Sequence, residues 1–79
     1  MNSCFRLWLR GHLWRYEKGR RSCVELLANG DKTLREILGD LGIDGEDIMM
    51  VLSRGRRVDL SHVPEAGEDL EVLPIIDGG

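Results

Sequence analysis

The sequence has no long hydrophobic run, only two cysteines and no surplus of positive charge. Each absence excludes something. No stretch approaches the ~20 apolar residues that span a membrane. The opening "MNSCFRLWLRGHLW" carries Arg6 and Arg10 inside its apolar stretch, so it does not read as a signal peptide. Cys4 and Cys23 are too few for an iron–sulfur cluster held by cysteines, and neither sits in a Cys-x-x-Cys pair. Fourteen acidic residues against 11 basic give a net charge of −3, which argues against nucleic acid as the main partner. These readings predict a cytoplasmic protein with both thiols reduced and no membrane or nucleic-acid partner.

Length is also in short supply. The chain has 79 residues, enough for one domain. A chain this short buries only a little over ~60% of the surface its unfolded form exposes, so its core is small. Little is left for a substrate cleft, and a carrier or binding role is expected over catalysis. What is present is 42% apolar and 32% charged, the balance of a soluble globular domain and not of a disordered one.

Residues 4–10 alternate, with Phe5, Leu7 and Leu9 on one face and Arg6, Trp8 and Arg10 on the other, the pattern of a half-buried strand. A short helical turn is expected around Leu13–Tyr16, then a basic loop. Residues 22–28 read as a second strand, with Val24, Leu26 and Ala28 opposite Glu25 and Leu27, closed by the turn signal Asn29-Gly30. In "TLREILGDLG", Thr33 and Glu36 make a capping box. Leu34, Ile37, Leu38 and Leu41 form one apolar helical stripe, Gly42 supplies a left-handed stop, and Ile43 packs back. Gly39 inside the helix costs about 1 kcal/mol against alanine. "IMMVLSRG" is a third strand, apolar enough to be central. A tight turn at Gly55, a short return strand "RVDL" and a last strand "DLEVLP" follow. In the last strand Leu70 and Val72 oppose Glu71 and Leu73.

A single helix crossing between the second and third strands predicts an α+β fold of two layers. The compact solution is a mixed four- to five-stranded sheet with the helix on one face, the ubiquitin-like β-grasp. The helix stripe is expected against Phe5, Leu7, Val24, Leu26, Leu70, Val72 and Met50 or its neighbours. Residues 1–73 make the domain, and residues 74–79 a flexible tail ending in Gly-Gly.

Four stretches, "LWLRGHLWRY", "DKTLREILGDLGI", "SRGRRVDL" and "AGEDLEVLPIIDGG", stand in this order and span nearly the whole chain. In that order and spacing the sequence resembles the MoaD/ThiS family of sulfur carriers, the "GHLWRY" turn being like that of the molybdopterin-type members. Two features depart from the family pattern. "SRGRR" stands where an Asn-Gly turn is usual, and Asp77 where a small residue is common. The resemblance implies a carrier protein, not an enzyme. It further implies that the carboxylate of Gly79 is adenylated by a separate ubiquitin-activating-like adenylyltransferase that uses ATP and magnesium. A sulfur donor protein then supports its conversion to a thiocarboxylate. The sulfur goes to the large subunit of molybdopterin synthase or, in a close variant, to thiazole synthase in thiamine biosynthesis. ATP, magnesium and any zinc belong to the partner, and this chain binds no cofactor or metal of its own. Two other readings remain: a ubiquitin-like modifier conjugated through Gly79, and a β-grasp interaction domain with no terminal chemistry.

The physical requirement on the tail is delivery. Residues 74–79 reach on the order of 20 Å when extended. Gly78 and Gly79 lack Cβ atoms and thread a narrow channel. Asp77 offers a charge to a basic channel mouth. Leu73, Ile75 and Ile76 come too late in the chain to be all buried, and with Trp8 they are expected to form an apolar patch for partner enzymes. Trp8 is otherwise covered by the "LWRY" segment. Cys4 and Cys23 fall at opposite ends of a hairpin, too far apart for a disulfide, and read as small packing residues. His12 and His62 have no carboxylate or cysteine at ligand spacing and read as surface or turn residues. Lys18-Arg20-Arg21 and Arg54-Arg56-Arg57 read as solvated loops.

Overall fold

The chain forms β1 (Cys4–Leu9), β2 (Cys23–Leu27), α1 (Leu34–Asp40), β3 (Ile48–Ser53), β4 (Arg56–Val58) and β5 (Asp69–Pro74). Short 3₁₀ turns lie at Leu13–Arg15 and Gly45–Asp47. The computed structural model describes residues 3–28 and 30–75. The five strands make one mixed sheet in the order β2-β1-β5-β3-β4. Only β1 and β5 run parallel; the other pairs are antiparallel. With α1 on one face, this is the expected ubiquitin-like β-grasp.

The centre of the sheet differs from the sequence reading. β5, the last strand, lies in the middle, while β3 sits one place from the edge. The α1 crossover carries the chain from β2 to the far side of the sheet, and β5 then fills the slot between β1 and β3. Alternation reports which face a residue takes, not which strand lies beside it.

Helix α1 forms for the local reasons written in its sequence. The Thr33 hydroxyl accepts the Glu36 amide while the Glu36 carboxylate accepts the Thr33 amide. At the other end the Ile43 N–H donates to Leu38 at 2.8 Å and the Gly42 N–H to Gly39 at 3.0 Å, the paired bonds of a Schellman stop. Gly42 is left-handed (φ +94), and a Cβ there would lie 2.7 Å from the Tyr16 carbonyl oxygen. Glycine is therefore required both by conformation and by contact. Leu34, Ile37, Leu38 and Leu41 are all buried against Phe5, Leu7, Val24, Leu70 and Val72.

In β3 the core residues are Ile48 and Val51, not Met50. A bulge between Ile48 and Met50 inserts one residue. Ile48 and Val51, three apart, are both buried, while Met49 is 48% exposed. Met50 instead stands opposite Leu73 in the register. The β3–β4 turn places Arg54 (φ +54) and Gly55 (φ +79) both in the left-handed region, as a two-residue hairpin of primed type needs. β4 begins at Arg56, one residue earlier than read from sequence, and is only three residues long.

Candidate functional site

The end of β5 is held from both sides. Arg10 donates its amide to the Val72 carbonyl at 3.0 Å, and Gly11 (φ +59) packs so closely on Pro74 that a Cβ would lie 2.7 Å from the ring. On the other side Pro74 pairs with Ile48, and the Ile75 N–H donates to the Asp47 carbonyl at 3.0 Å. Regular structure thus runs through Pro74, one residue past the boundary expected at Leu73. Ile76, Asp77, Gly78 and Gly79 lie outside the described residues.

The sheet face opposite α1 gathers Arg6 and Trp8 from β1, Asp69, Glu71 and Leu73 from β5, Met50 and Leu52 from β3, and Arg57 from β4. Trp8 lies beside Glu71 on one side and Cys23 on the other. Leu73 is one diagonal step along the same face, toward the tail root. Ile75 follows at 46% exposure. Trp8, Leu73 and Ile75 thus lie along one path, while Ile76 falls outside the described residues. Met50 and Leu52 were missed as face residues, because the bulge shifts the alternation that would have placed them.

Charged side chains pair across this face. Arg6 Nε lies 3.0 Å from Asp69 Oδ1, and Arg10 Nη2 lies 3.5 Å from Glu71 Oε1, all about half exposed. The Trp8 indole N–H donates to Asp69 Oδ1 at 3.4 Å. The Arg10 guanidinium carbon sits 5.5 Å from the Trp8 ring centroid, a cation–π distance. Leu13 of the "LWRY" segment turns fully into the core and Trp14 packs against it. Trp8 meets charged chains, Asp69 and Arg10.

Two buried carboxylates escaped the sequence reading. Glu17 is 2% exposed. It accepts the amides of Gly19 (2.8 Å) and Arg21 (2.9 Å), and its carboxylate is gripped by the Arg21 guanidinium at 2.9 and 3.2 Å. The Arg21 hydrogen bond, opposed by burial and aided by the two amides, lowers the Glu17 pKa from 4.5 to about 2. The supposed basic loop is therefore folded around an anion. The second carboxylate, Glu68, accepts the Ser53 hydroxyl, the Glu65 amide at 2.9 Å and His62 Nε2 at 2.9 Å. Burial pushes its carboxyl up, but these hydrogen bonds outweigh that and hold it below the usual carboxylate value. His62 is thus a partly buried partner of Glu68, not a free surface residue. The six-residue gap between them gives no local signal. His12 is exposed, as read.

Cys4 pairs across to Leu27 and Cys23 to Trp8, at opposite ends of the hairpin, and both thiols are free. Among the described residues, no three His, Cys, Asp or Glu side chains gather as metal ligands. Among the same residues no helix is long and apolar enough to cross a membrane.

A profile of the Mut7-C ubiquitin family matches residues 4–78. A search of curated proteins returns no significant match. Among solved structures, the fold is similar to a crystal structure of SAMP1 from Haloferax volcanii. The TM-score is 0.68 at 22% identity, over 96% of this chain and 99% of that one. A second crystal structure, of H. volcanii small archaeal modifier protein 1, matches with a TM-score of 0.67 at 20% identity, over 94% of this chain and 99% of that one. At such identities the likeness speaks to the fold, which is that of a MoaD/ThiS-like ubiquitin-like protein.

Proposed function

The chain belongs to the Mut7-C ubiquitin family, and from that premise we propose that it is a sulfur carrier, activated by a partner enzyme at the carboxylate of Gly79. The observation that carries this reading is the root of the tail. The central strand of the sheet delivers the chain outward and is held as far as Ile75 by the Asp47 carbonyl. Beside it runs a face on which Trp8, Leu73 and Ile75 stand among charged residues. A carboxylate delivered from this root is useful only if the domain docks at the mouth of the enzyme that receives it. The face next to the root is where such docking has to occur.

The chemistry asks little else of this chain. A carboxylate oxygen of Gly79 attacks the α-phosphate of ATP in the partner's site and pyrophosphate leaves. Sulfur, delivered as a sulfide-equivalent nucleophile by a donor protein, displaces AMP and leaves a thiocarboxylate. Gly78 allows close passage of the backbone and Asp77 marks the entry. ATP and magnesium are used by the adenylyltransferase. The acceptor is an enzyme of molybdenum- or tungsten-pterin assembly, the molybdopterin synthase large subunit, with thiazole synthase the close variant.

A second reading, conjugation of Gly79 to lysines of target proteins, is favoured by the likeness to a protein described as a small archaeal modifier. Both readings use the same activated end and differ in the nucleophile that accepts it.

The test has two arms. Intact mass of the mature protein from its own cells locates the end of the chain and the modification. A mass gain equal to sulfur replacing one oxygen at Gly79 supports the carrier, and isopeptide-linked adducts support the modifier. ATP–pyrophosphate exchange with the cognate activating enzyme is then run on the parent, a Gly79 deletion and a form with one added alanine. Exchange by the parent alone is expected, since a one-residue error of about 3.3–3.6 Å destroys the attack geometry. Full exchange by either altered form, or a mature chain that continues past Gly79, overturns the terminal chemistry and leaves an interaction domain.

A further inference from the structure

Among the described residues the edge of the sheet formed by β2 is unpaired, and it is bordered by an apolar groove. The ladder bonds from Leu9 N–H to Ser22 (2.7 Å) and from Ala28 N–H to Ser3 (2.6 Å) fix the phase of the hairpin. Residues 22, 24, 26 and 28 therefore turn their backbone groups toward β1. Cys23, Glu25 and Leu27 turn theirs away. Among the described residues no strand receives them.

Directly beside this edge, between β2 and α1, lies a cavity of about 420 Å³. Phe5, Leu26, Ile37 and Leu41 form its apolar lining, and Leu27 stands at its lip, 72% exposed. A strand added to β2 would point alternate side chains into this groove. The exposed edge supplies hydrogen bonds and the groove supplies pockets, the two parts of recognition by strand addition.

The groove also has a charged end. The Lys18 amide is bonded to the Leu41 carbonyl at 3.1 Å, so the loop before β2 runs from the end of α1 to the start of the edge. Glu17 shapes this loop and neutralises Arg21. Lys18 and Arg20 are exposed and make no ion pair with another described residue. Along the groove, Lys32 reaches back over the helix to Asp40 at 2.7 Å. This exposed pair is weak enough to exchange partners.

We propose that the β2 edge, the β2–α1 groove and the cationic loop together bind an extended segment of a partner protein. That segment has alternating apolar residues, and acidic residues at the end that meets Lys18 and Arg20. A second copy of this chain fits less well, because full antiparallel pairing of two β2 strands sets Glu25 directly against Glu25. The site lies two strands from β5, so it can be occupied while the tail is engaged. It does not depend on the chemistry assigned to Gly79.

The probe is a synthetic peptide, acetyl-Glu-Glu-Val-Thr-Val-Thr-Val-amide, followed by ¹⁵N amide shifts and hydrogen exchange on the full chain. The expected result is shift and new protection at Cys23, Glu25 and Leu27. The variant Glu25→Pro removes an outward N–H without touching the β1 ladder and should weaken binding about tenfold or more, with the β1 amides unchanged. Lys18→Glu/Arg20→Glu, in an exposed loop, should abolish the preference over a peptide that begins Lys-Lys. That arm decides the matter even if the proline variant fails to fold. The proposal is overturned by no shift at millimolar peptide, or by shifts confined to Trp8 and Leu73. It is also overturned by equal binding of both peptides to the parent, or by equal binding to parent and folded Glu25→Pro. Concentration-dependent shifts at β2 without peptide would assign the edge to a second copy and overturn it as well.

Discussion

The amide of Ile75 donates to the carbonyl of Asp47 at 3.0 Å, and this bond marks the last point at which the described fold holds the chain. The main chain of Ile75 is engaged, while its side chain is 46% exposed. Ile75→Asp should therefore melt within a few degrees of the parent while binding the activating enzyme more weakly. Pull-down affinity together with a melting curve checks both halves. Unchanged affinity would take the tail root out of the interface.

The helix offers two neighbouring substitutions of opposite sign. Leu38 is 1% exposed in the core, and Leu38→Ala should cost about 2–5 kcal/mol. A domain this small has about that much stability to lose. Gly39 is exposed and a Cβ there meets nothing within 4 Å. Gly39→Ala should stabilise by about 0.5–1 kcal/mol. Urea denaturation of both variants reads the two effects on one scale.

Glu17 predicts an acid limb in the stability profile. Its folded pKa, about 2, lies below its ordinary 4.5. Its contribution is therefore fully present above pH 4.5 and is lost as pH falls toward 2. Glu17→Gln keeps the shape but loses charge-assisted hydrogen bonds, at a cost of about 2 kcal/mol. In that variant the slope of stability against pH between those limits should flatten. Persistence of the full slope would assign the acid limb to other carboxylates.

Cys4 and Cys23 are free and half-buried, at opposite ends of the hairpin. If sulfur travels on the Gly79 carbonyl carbon, the double variant Cys4→Ala/Cys23→Ala should fold and load sulfur as the parent does. Loss of loading in a folded double variant, read by intact mass, would place the sulfur on a thiol.

What the sequence by itself determined is local. The capping box at Thr33 and Glu36, the Gly42-Ile43 stop and the α1 stripe are made by residues within about two helical turns of each other, so they can be read from spacing alone. The faces of β1 and β5 are equally legible, because regular strands alternate. Tertiary structure decided the rest. Nothing in "DLEVLP" says that it lies at the centre of the sheet, since sheet order depends on which edges remain free when the last strand arrives. The β3 bulge put Val51 in the core where Met50 had been a candidate, because an extra residue leaves no mark on composition. The site face was partly legible in Trp8, Leu73 and Ile75. Met50 and Leu52 joined it only through pairing with β5. The carboxylate network of Glu68 joins Ser53, 15 residues away, to His62, and Glu17 is buried in a loop whose Lys18 amide donates to Leu41 at the end of α1. A buried charge is stable only with its partners in place, and those partners are brought together by the fold and not by the order of the chain.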